Sequence, residues 1–335
     1  MLFFRLILFY SISRSLPVFL CAQTNVIPPY RFTEKCMGTD FTILIDHKNF
    51  DFAQKVATGA FRKANQLNKI FSDYDSSSEN SRLFENSGNG IFQKVSDEFY
   101  RVLIASQRLS RETNGAFDIT VGPHSRLWRI ARFRKSLPDQ ESLLLNAKRV
   151  GWQNIIINPE TKKVKLTLEN MVLDFGGIAK GYAADVMLDF LKSQNTNRVL
   201  IDVGGDLLLG DPPTDKTGWN IKIGGKKHLE LPTLSLSNIA VATSGDFEQF
   251  VIMEGKKYSH LINPKTGIGL TNRAQVTVIA PTAIEADSLA SASLVLGRKN
   301  GIKFLNTKKN VSAFFLEEIG NKTILVRTES SELNN

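Results

Sequence analysis

Two segments of this sequence place oxygen-bearing side chains and glycines where phosphate or a hard cation is commonly held. Asp174-Phe175-Gly176-Gly177-Ile178-Ala179-Lys180-Gly181 stands where an apolar run meets the start of a helical pattern. A helix N-terminus there offers unpaired N–H groups and a favourable dipole end to an anion, and glycines let a ligand approach the backbone. The spacing is neither GxGxxG nor a P-loop, and glycines serve close strand–helix packing equally well. Further on, Asp287 and Ser291 lie four residues apart, so a carboxylate and a hydroxyl project from one helix face, a pairing suited to a hard cation taking oxygen ligands. The helix around them is small and apolar, with Ala283, Ala286, Ala290 and Ala292, and a carboxylate in such a setting needs a partner.

Other constellations are weaker taken singly. Asp202-Val203-Gly204-Gly205-Asp206 repeats the theme of a strand ending in paired glycines beside carboxylates, and Thr243-Ser244-Gly245-Asp246 offers small hydroxyls that suit a ligand pocket or a plain turn. His260 lies in Tyr258-Ser259-His260-Leu261-Ile262-Asn263-Pro264-Lys265-Thr266-Gly267, near the end of a strand pattern, a place from which catalytic groups are often presented, although a lone histidine is more often structural. No HExxH or Cys/His zinc spacing accompanies it. Arg126, Arg129, Arg132, Arg134 and Lys135 alternate with Trp128 and Phe133, a pattern that can grip single-stranded nucleic acid. With no nucleic-acid-binding motif nearby, a solvated basic helix or loop is the expectation, and nucleic acid is not expected as a partner.

The elements that must position these residues are mixed. Phe50 to Phe71 carries Val56, Phe61, Ala64, Leu67 and Phe71 at helical spacing, and a second helix opens at Ser96. Strands are predicted at Phe41–Ile45, Ile155–Ile157, Val164–Leu168, Met171–Phe175, Val199–Val203, Ile239–Ala242, Phe247–Met253, Tyr258–Ile262 and Gln275–Ile279, with a closing hairpin from Ser312 to Arg327. Helices are predicted over Ala179–Leu191 and Thr282–Leu296, the latter opened by Thr282 and Glu285 in capping-box spacing and followed by Gly297. The fold class is α+β.

At 335 residues with 42% hydrophobic residues, the chain can bury a large core. Met1 to Ala22 is apolar with Arg5 and Arg14 and no acid, and reads as an export signal too short in uninterrupted apolar length for a membrane span. Residues 23–34 read as a tether, and the folded domain is expected over 35–330. Without the first 22 residues the net charge falls from +9 to +7, since Arg5 and Arg14 leave and no acid does. The remaining Cys36 has no partner thiol, which suits an exported enzyme stabilised by core burial.

Taken in order, Met37-Gly38-Thr39, Phe71-Ser72-Asp73-Tyr74, Ser81-Arg82, Gly115 to Pro123, Asp174 to Asp185, Val203 to Asp206, Ser244-Gly245-Asp246, Tyr258 to Gly267 and Ala286-Asp287 to Gly297 resemble the ApbE family, the FAD:protein FMN transferases. The resemblance implies a T-fold-like α+β body and an enzyme that cleaves FAD with magnesium, joins FMN to a Ser or Thr hydroxyl of an acceptor protein and releases AMP. It implies that Met37, Tyr74, Ala116, Phe117, Asp118, Asp174, Lys180 and Leu261 contact FAD. It further implies that Gly177, through its carbonyl, holds magnesium with Asp287 and Ser291; His260 or a neighbouring carboxylate is the candidate to assist with the acceptor proton. The implied acceptor is an exported segment of a membrane redox complex, which places the enzyme in the periplasm or on the outer face of the inner membrane. Ser291 stands where the family usually has Thr and keeps the hydroxyl, whereas Asn263 stands where Asp is frequent. Hydrolysis of FAD to FMN and AMP, or FAD binding without catalysis, are the competing readings of the same residues.

Overall fold

In the computed structural model, residues 29–224, 231–246, 250–320 and 322–329 are described. The export signal, the start of the tether and the end of the expected domain lie outside those residues. In chain order the elements are β1 (Tyr30–Cys36), β2 (Thr39–Ile45), α1 (Phe50–Phe71), α2 (Glu79–Glu85), β3 (Gln93–Lys94), α3 (Asp97–Glu112), α4 (Gly122–Arg134) and α5 (Gln140–Ala147). Then come β4 (Ile155–Asn158), β5 (Lys163–Leu166), α6 (Ala179–Ser193), β6 (Val199–Val203), β7 (Asp206–Leu209), β8 (Trp219–Lys222) and β9 (Thr233–Leu236). The chain continues through β10 (Ile239–Gly245), β11 (Phe250–Met253), β12 (Lys256–Ser259), β13 (Ala274–Ala280), α7 (Ala283–Leu305), β14 (Ser312–Ile319) and β15 (Lys322–Arg327).

Eight strands form one antiparallel sheet in the order β1-β2-β6-β7-β10-β13-β14-β15. Helix α1 packs on α6 and α6 on α7, and α7 lies along β10 and β13. The opposite face of the central strands is covered by the β8–β9 hairpin, where Trp219, Ile221 and Leu236 meet Leu209, Val241, Ile279 and Phe314. Covered on both faces, β13 is buried at every position, its polar Gln275 and Thr277 included. This is the α+β body expected from the sequence.

Glycine sets how closely α6 and α7 approach. A methyl group at Gly181 would sit 2.3 Å from the Ala283 carbonyl oxygen and 2.9 Å from the Ile284 α-carbon, so the α7 backbone would have to move. Gly181→Ala is expected to lower stability by about 1–3 kcal/mol, read as a shift in the urea unfolding midpoint. The N-terminus of α7 is tied to α6 as well, since Asp185 accepts the Ala283 and Ile284 N–H groups at 2.8 and 2.9 Å.

Three expectations need correction. The tether was expected to reach residue 34, yet β1 begins at Tyr30 and pairs residue by residue with β2, because Tyr30 and Cys36 are buried at its two ends. Met171–Phe175 is not a strand. It is buried, but the Asp174 N–H goes to the Ile119 carbonyl and the Leu173 carbonyl accepts from Asn80 Nδ2, so loop and side chain replace a ladder. The helix opened by Thr282 does break at Gly297, as expected, where φ is 75°, but a further helical stretch not predicted from the sequence follows and carries α7 to Leu305. Among the described residues no helix is long and apolar enough to cross a membrane.

Candidate active site

A cleft of about 670 Å³ opens between the α6–α7 pair, the ends of the central strands and α4. Its wall includes Tyr74, Ala116, Phe117, Asp118, Asp174, Gly177, Lys180, His260, Leu261, Asp287 and Ser291, so residues from distant parts of the sequence converge on one space. Met37 is the exception among the candidates. It occupies, with φ of 49°, the two-residue turn before β2 alongside Gly38 and packs against the main core, while Thr39 beyond it lines the cleft.

At one end a lysine bridges two carboxylates. Lys180 lies in the first turn of α6, and its Nζ is 3.5 Å from both Asp206 Oδ2 and Asp287 Oδ2 and donates to the Gly176 carbonyl at 3.3 Å. Burial alone would drive Lys180 to lose its proton, but the two carboxylates outweigh that and raise its pKa above the usual lysine value. Asp206 is pushed up to about 7 by burial and by the charge of Asp287, with Lys180 and the Thr243 N–H opposing. Asp287 is 3% exposed, and its Oδ2 also accepts the Gly181 N–H at 3.1 Å. One turn along α7, Ser291 Oγ is 3.2 Å from Ser244 Oγ on β10. A methyl at Gly177 would lie 3.1 Å from Ser291 Oγ, so the glycine turn and this hydroxyl are close neighbours.

This donor set is made of hard oxygens. A carboxylate, two hydroxyls and the main chain of a glycine turn suit magnesium, which takes few protein ligands and completes its shell with water and phosphate oxygens. Among the described residues no group of three or more His, Cys, Asp or Glu side chains gathers to hold a metal. A cation at Asp287 would thus depend on hydroxyl, main-chain and ligand oxygens.

Braced loops form other parts of the cleft wall. Asp118 accepts from the Thr120 N–H and hydroxyl at 2.8 and 2.7 Å and from the Trp152 N–H at 3.0 Å, and burial nonetheless raises its pKa. It therefore holds the Ala116–Asp118 corner in shape. Asp174 accepts the Gly176 N–H at 2.8 Å, fixing the glycine turn. His260 is half-buried just past β12, and the hairpin continues beyond that strand through Leu270 N–H to the Leu261 carbonyl at 2.9 Å. Asn263 builds the following turn with its amide oxygen accepting the Lys265 N–H at 3.0 Å, work a neutral side chain does as well as a carboxylate.

Two parts of the site were not assigned from the sequence. Asp206 and Ser244 were visible only as strand-end carboxylate and hydroxyl; pairing of β7 with β10 brings them to Lys180 and Ser291. The arginine-rich stretch is α4, and Arg129 and Arg132 line the cleft. Trp128 anchors that helix to the His260 hairpin by donating Nε1–H to the Ser259 carbonyl at 3.1 Å and stacking edge-on to Tyr258.

The family model for the ApbE family matches residues 37–315, which span the whole cleft. The chain belongs to the ApbE family. Among curated relatives, a FAD:protein FMN transferase of Vibrio cholerae is 30% identical over 281 residues, covering 79% of this chain and 81% of that protein. Another, from Haemophilus influenzae, is 28% identical over 88% of this chain and 87% of its own length. A solved histidine-to-glycine variant of the flavin transferase ApbE from Vibrio cholerae superposes with a TM-score of 0.81 at 26% identity, covering 90% of this chain and 97% of that one. The apo form of the Pseudomonas stutzeri flavinyl transferase ApbE gives 0.77 at 26% identity, covering 90% and 94%.

Proposed function

We propose that this ApbE-family chain binds FAD along the cleft, breaks its pyrophosphate and passes FMN to a Ser or Thr hydroxyl of an acceptor protein. The observation that carries this reading is one cleft whose wall holds the exposed Tyr74 ring together with the Gly177–Lys180–Asp287–Ser291 group, with the Phe117 ring against Gly177. A dinucleotide has the same two halves, a flat ring system and a linked pair of phosphates.

Asp287, Ser291 and the Gly177 carbonyl would hold magnesium, which supplies charge neutralisation at the pyrophosphate. Lys180 orients the phosphates with its retained charge, and the N–H groups at the start of α6 add to the same pull. The acceptor oxygen forms a bond to the FMN phosphorus as the P–O bond to AMP breaks, and the hydroxyl proton passes to His260 in the cleft wall. Export of the enzyme, and a membrane redox subunit as acceptor, fit the apolar N-terminal segment and belong to the same proposal.

The test is to mix the purified protein with FAD, magnesium and a candidate acceptor. An acceptor mass gain equal to FMN less one water, with AMP released in equal amount, is expected. Free FMN and AMP without a labelled acceptor would make the protein a hydrolase, and intact FAD would make it a binder. Tyr74, 77% exposed at the cleft edge, offers a free ring face. Tyr74→Ala is expected to weaken FAD binding about tenfold through lost ring contact, and an unchanged fluorescence titration would remove Tyr74 from the site.

A further inference from the structure

Arg129 is engaged on three sides. Its Nη1 is 2.7 Å from Asp73 Oδ2, its Nη2 is 3.5 Å from Asp174 Oδ2, and its guanidinium carbon stands 4.2 Å from the centre of the Tyr74 ring. These partners come from two separate parts of the cleft wall. Asp73 and Tyr74 belong to the loop that leaves α1, and Asp174 opens the glycine turn that enters α6. Arg129 itself projects from α4, whose neighbouring Trp128 is 1% exposed and fastened to the Ser259 carbonyl. The planar fork of an arginine can serve two carboxylates and still present its face to a ring, which a lysine cannot.

Both arms of its fork and one face of its plane are taken, by Asp73, Asp174 and the Tyr74 ring. What it fixes is geometry. An exposed tyrosine ring with no neighbour samples several rotamers, and freezing it on ligand binding opposes affinity. The guanidinium covers one face of Tyr74 and leaves the other for a ligand ring. Through Asp174 the same group reaches the Gly176 N–H, and the Gly176 carbonyl accepts from Lys180, so the ring platform and the phosphate end share one hydrogen-bonded frame.

We infer that Arg129 is a positioning residue for FAD, locking the Tyr74 ring as a stacking platform and holding the Asp174–Gly177 turn at a set distance from it. This rests on the flavin reading above. The residue touches no reacting atom, so its loss falls on FAD binding more than on turnover at saturation.

Titration of FAD fluorescence onto the full protein without magnesium, so that FAD stays intact, measures this directly. Arg129→Ala is expected to raise the FAD Kd about tenfold, while turnover of saturating FAD to AMP changes by less than about threefold. Arg129→Lys, keeping charge but not the fork, is expected to fall between. In a Tyr74→Ala background, Arg129→Ala is expected to cost about threefold or less, because the ring it fixes is gone. An unchanged Kd in Arg129→Ala, or full multiplication of the two effects in the double variant, overturns the inference. Arg129→Gln carries the same expectations should the alanine variant not fold. A wild-type protein that binds no FAD removes the flavin reading itself, an outcome distinct from failure of the arginine variants alone.

Discussion

Asp287→Asn is expected to fold with wild-type stability and to turn FAD over about 10³-fold more slowly or worse. The two consequences separate because Asp287 has two roles. Its Oδ2 accepts the Gly181 N–H at 3.1 Å, a bond that joins α7 to α6, and it faces Lys180 as an anion. An asparagine amide oxygen keeps the first role and loses the second. Asp287→Ala loses both, and leaving the buried Gly181 N–H unpaired adds a cost of about 1–3 kcal/mol. Urea unfolding should therefore distinguish the alanine from the asparagine variant, while AMP release at rising magnesium should find both inactive. Magnesium-dependent turnover within tenfold of wild type in Asp287→Asn would sink the assignment of Asp287 as the charged ligand.

How much of this site the sequence discloses depends on whether partners are near in sequence or only near in space. Asp287 and Ser291 share a helix face, so spacing alone pairs them, and the alanines around them signal the close α6–α7 packing that buries the carboxylate. The Gly176-Gly177 turn before Lys180 is legible for the same reason, since a strand-like run, glycines and a helical pattern follow directly. Asp206 and Ser244 are different. Each reads as an ordinary turn residue until the sheet order sets β7 beside β10, and no local pattern specifies which strands become neighbours. Met171–Phe175 shows the opposite limit, because an apolar run reports burial but not the partner of its N–H groups. Arg129 is the sharpest case. A run of arginines among aromatics reads as a solvated surface, yet Trp128 buries one face of α4 and turns Arg129 toward Asp73, Asp174 and Tyr74.

Lys180→Met tests the other half of the charged end, and turnover is expected to drop about 100-fold or more. Methionine fills similar volume without the charge, so Asp206 and Asp287 face one another with no cation between them, and an incoming pyrophosphate meets two anions. The same change should alter how stability depends on pH. In the wild type, burial and the charge of Asp287 put the Asp206 pKa at about 7, above the unfolded value of about 4. The folded state therefore binds a proton that the unfolded chain has already released. This group's contribution to stability is greatest below about pH 4 and declines as pH rises to about 7. Removing Lys180 takes away the ammonium that favours the Asp206 carboxylate, so the Asp206 pKa climbs further and the decline extends above pH 7. Thermal melts from pH 7 to 9 without magnesium should show a falling midpoint in Lys180→Met where the wild type has levelled off with respect to this group. Lys180→Arg, which keeps a charge beside both carboxylates, should restore the wild-type pH profile while leaving turnover low, because a broad planar guanidinium does not present its charge to a phosphate as a compact ammonium does. Identical pH profiles in wild type and Lys180→Met would mean that Lys180 does not govern the charge of this end of the cleft.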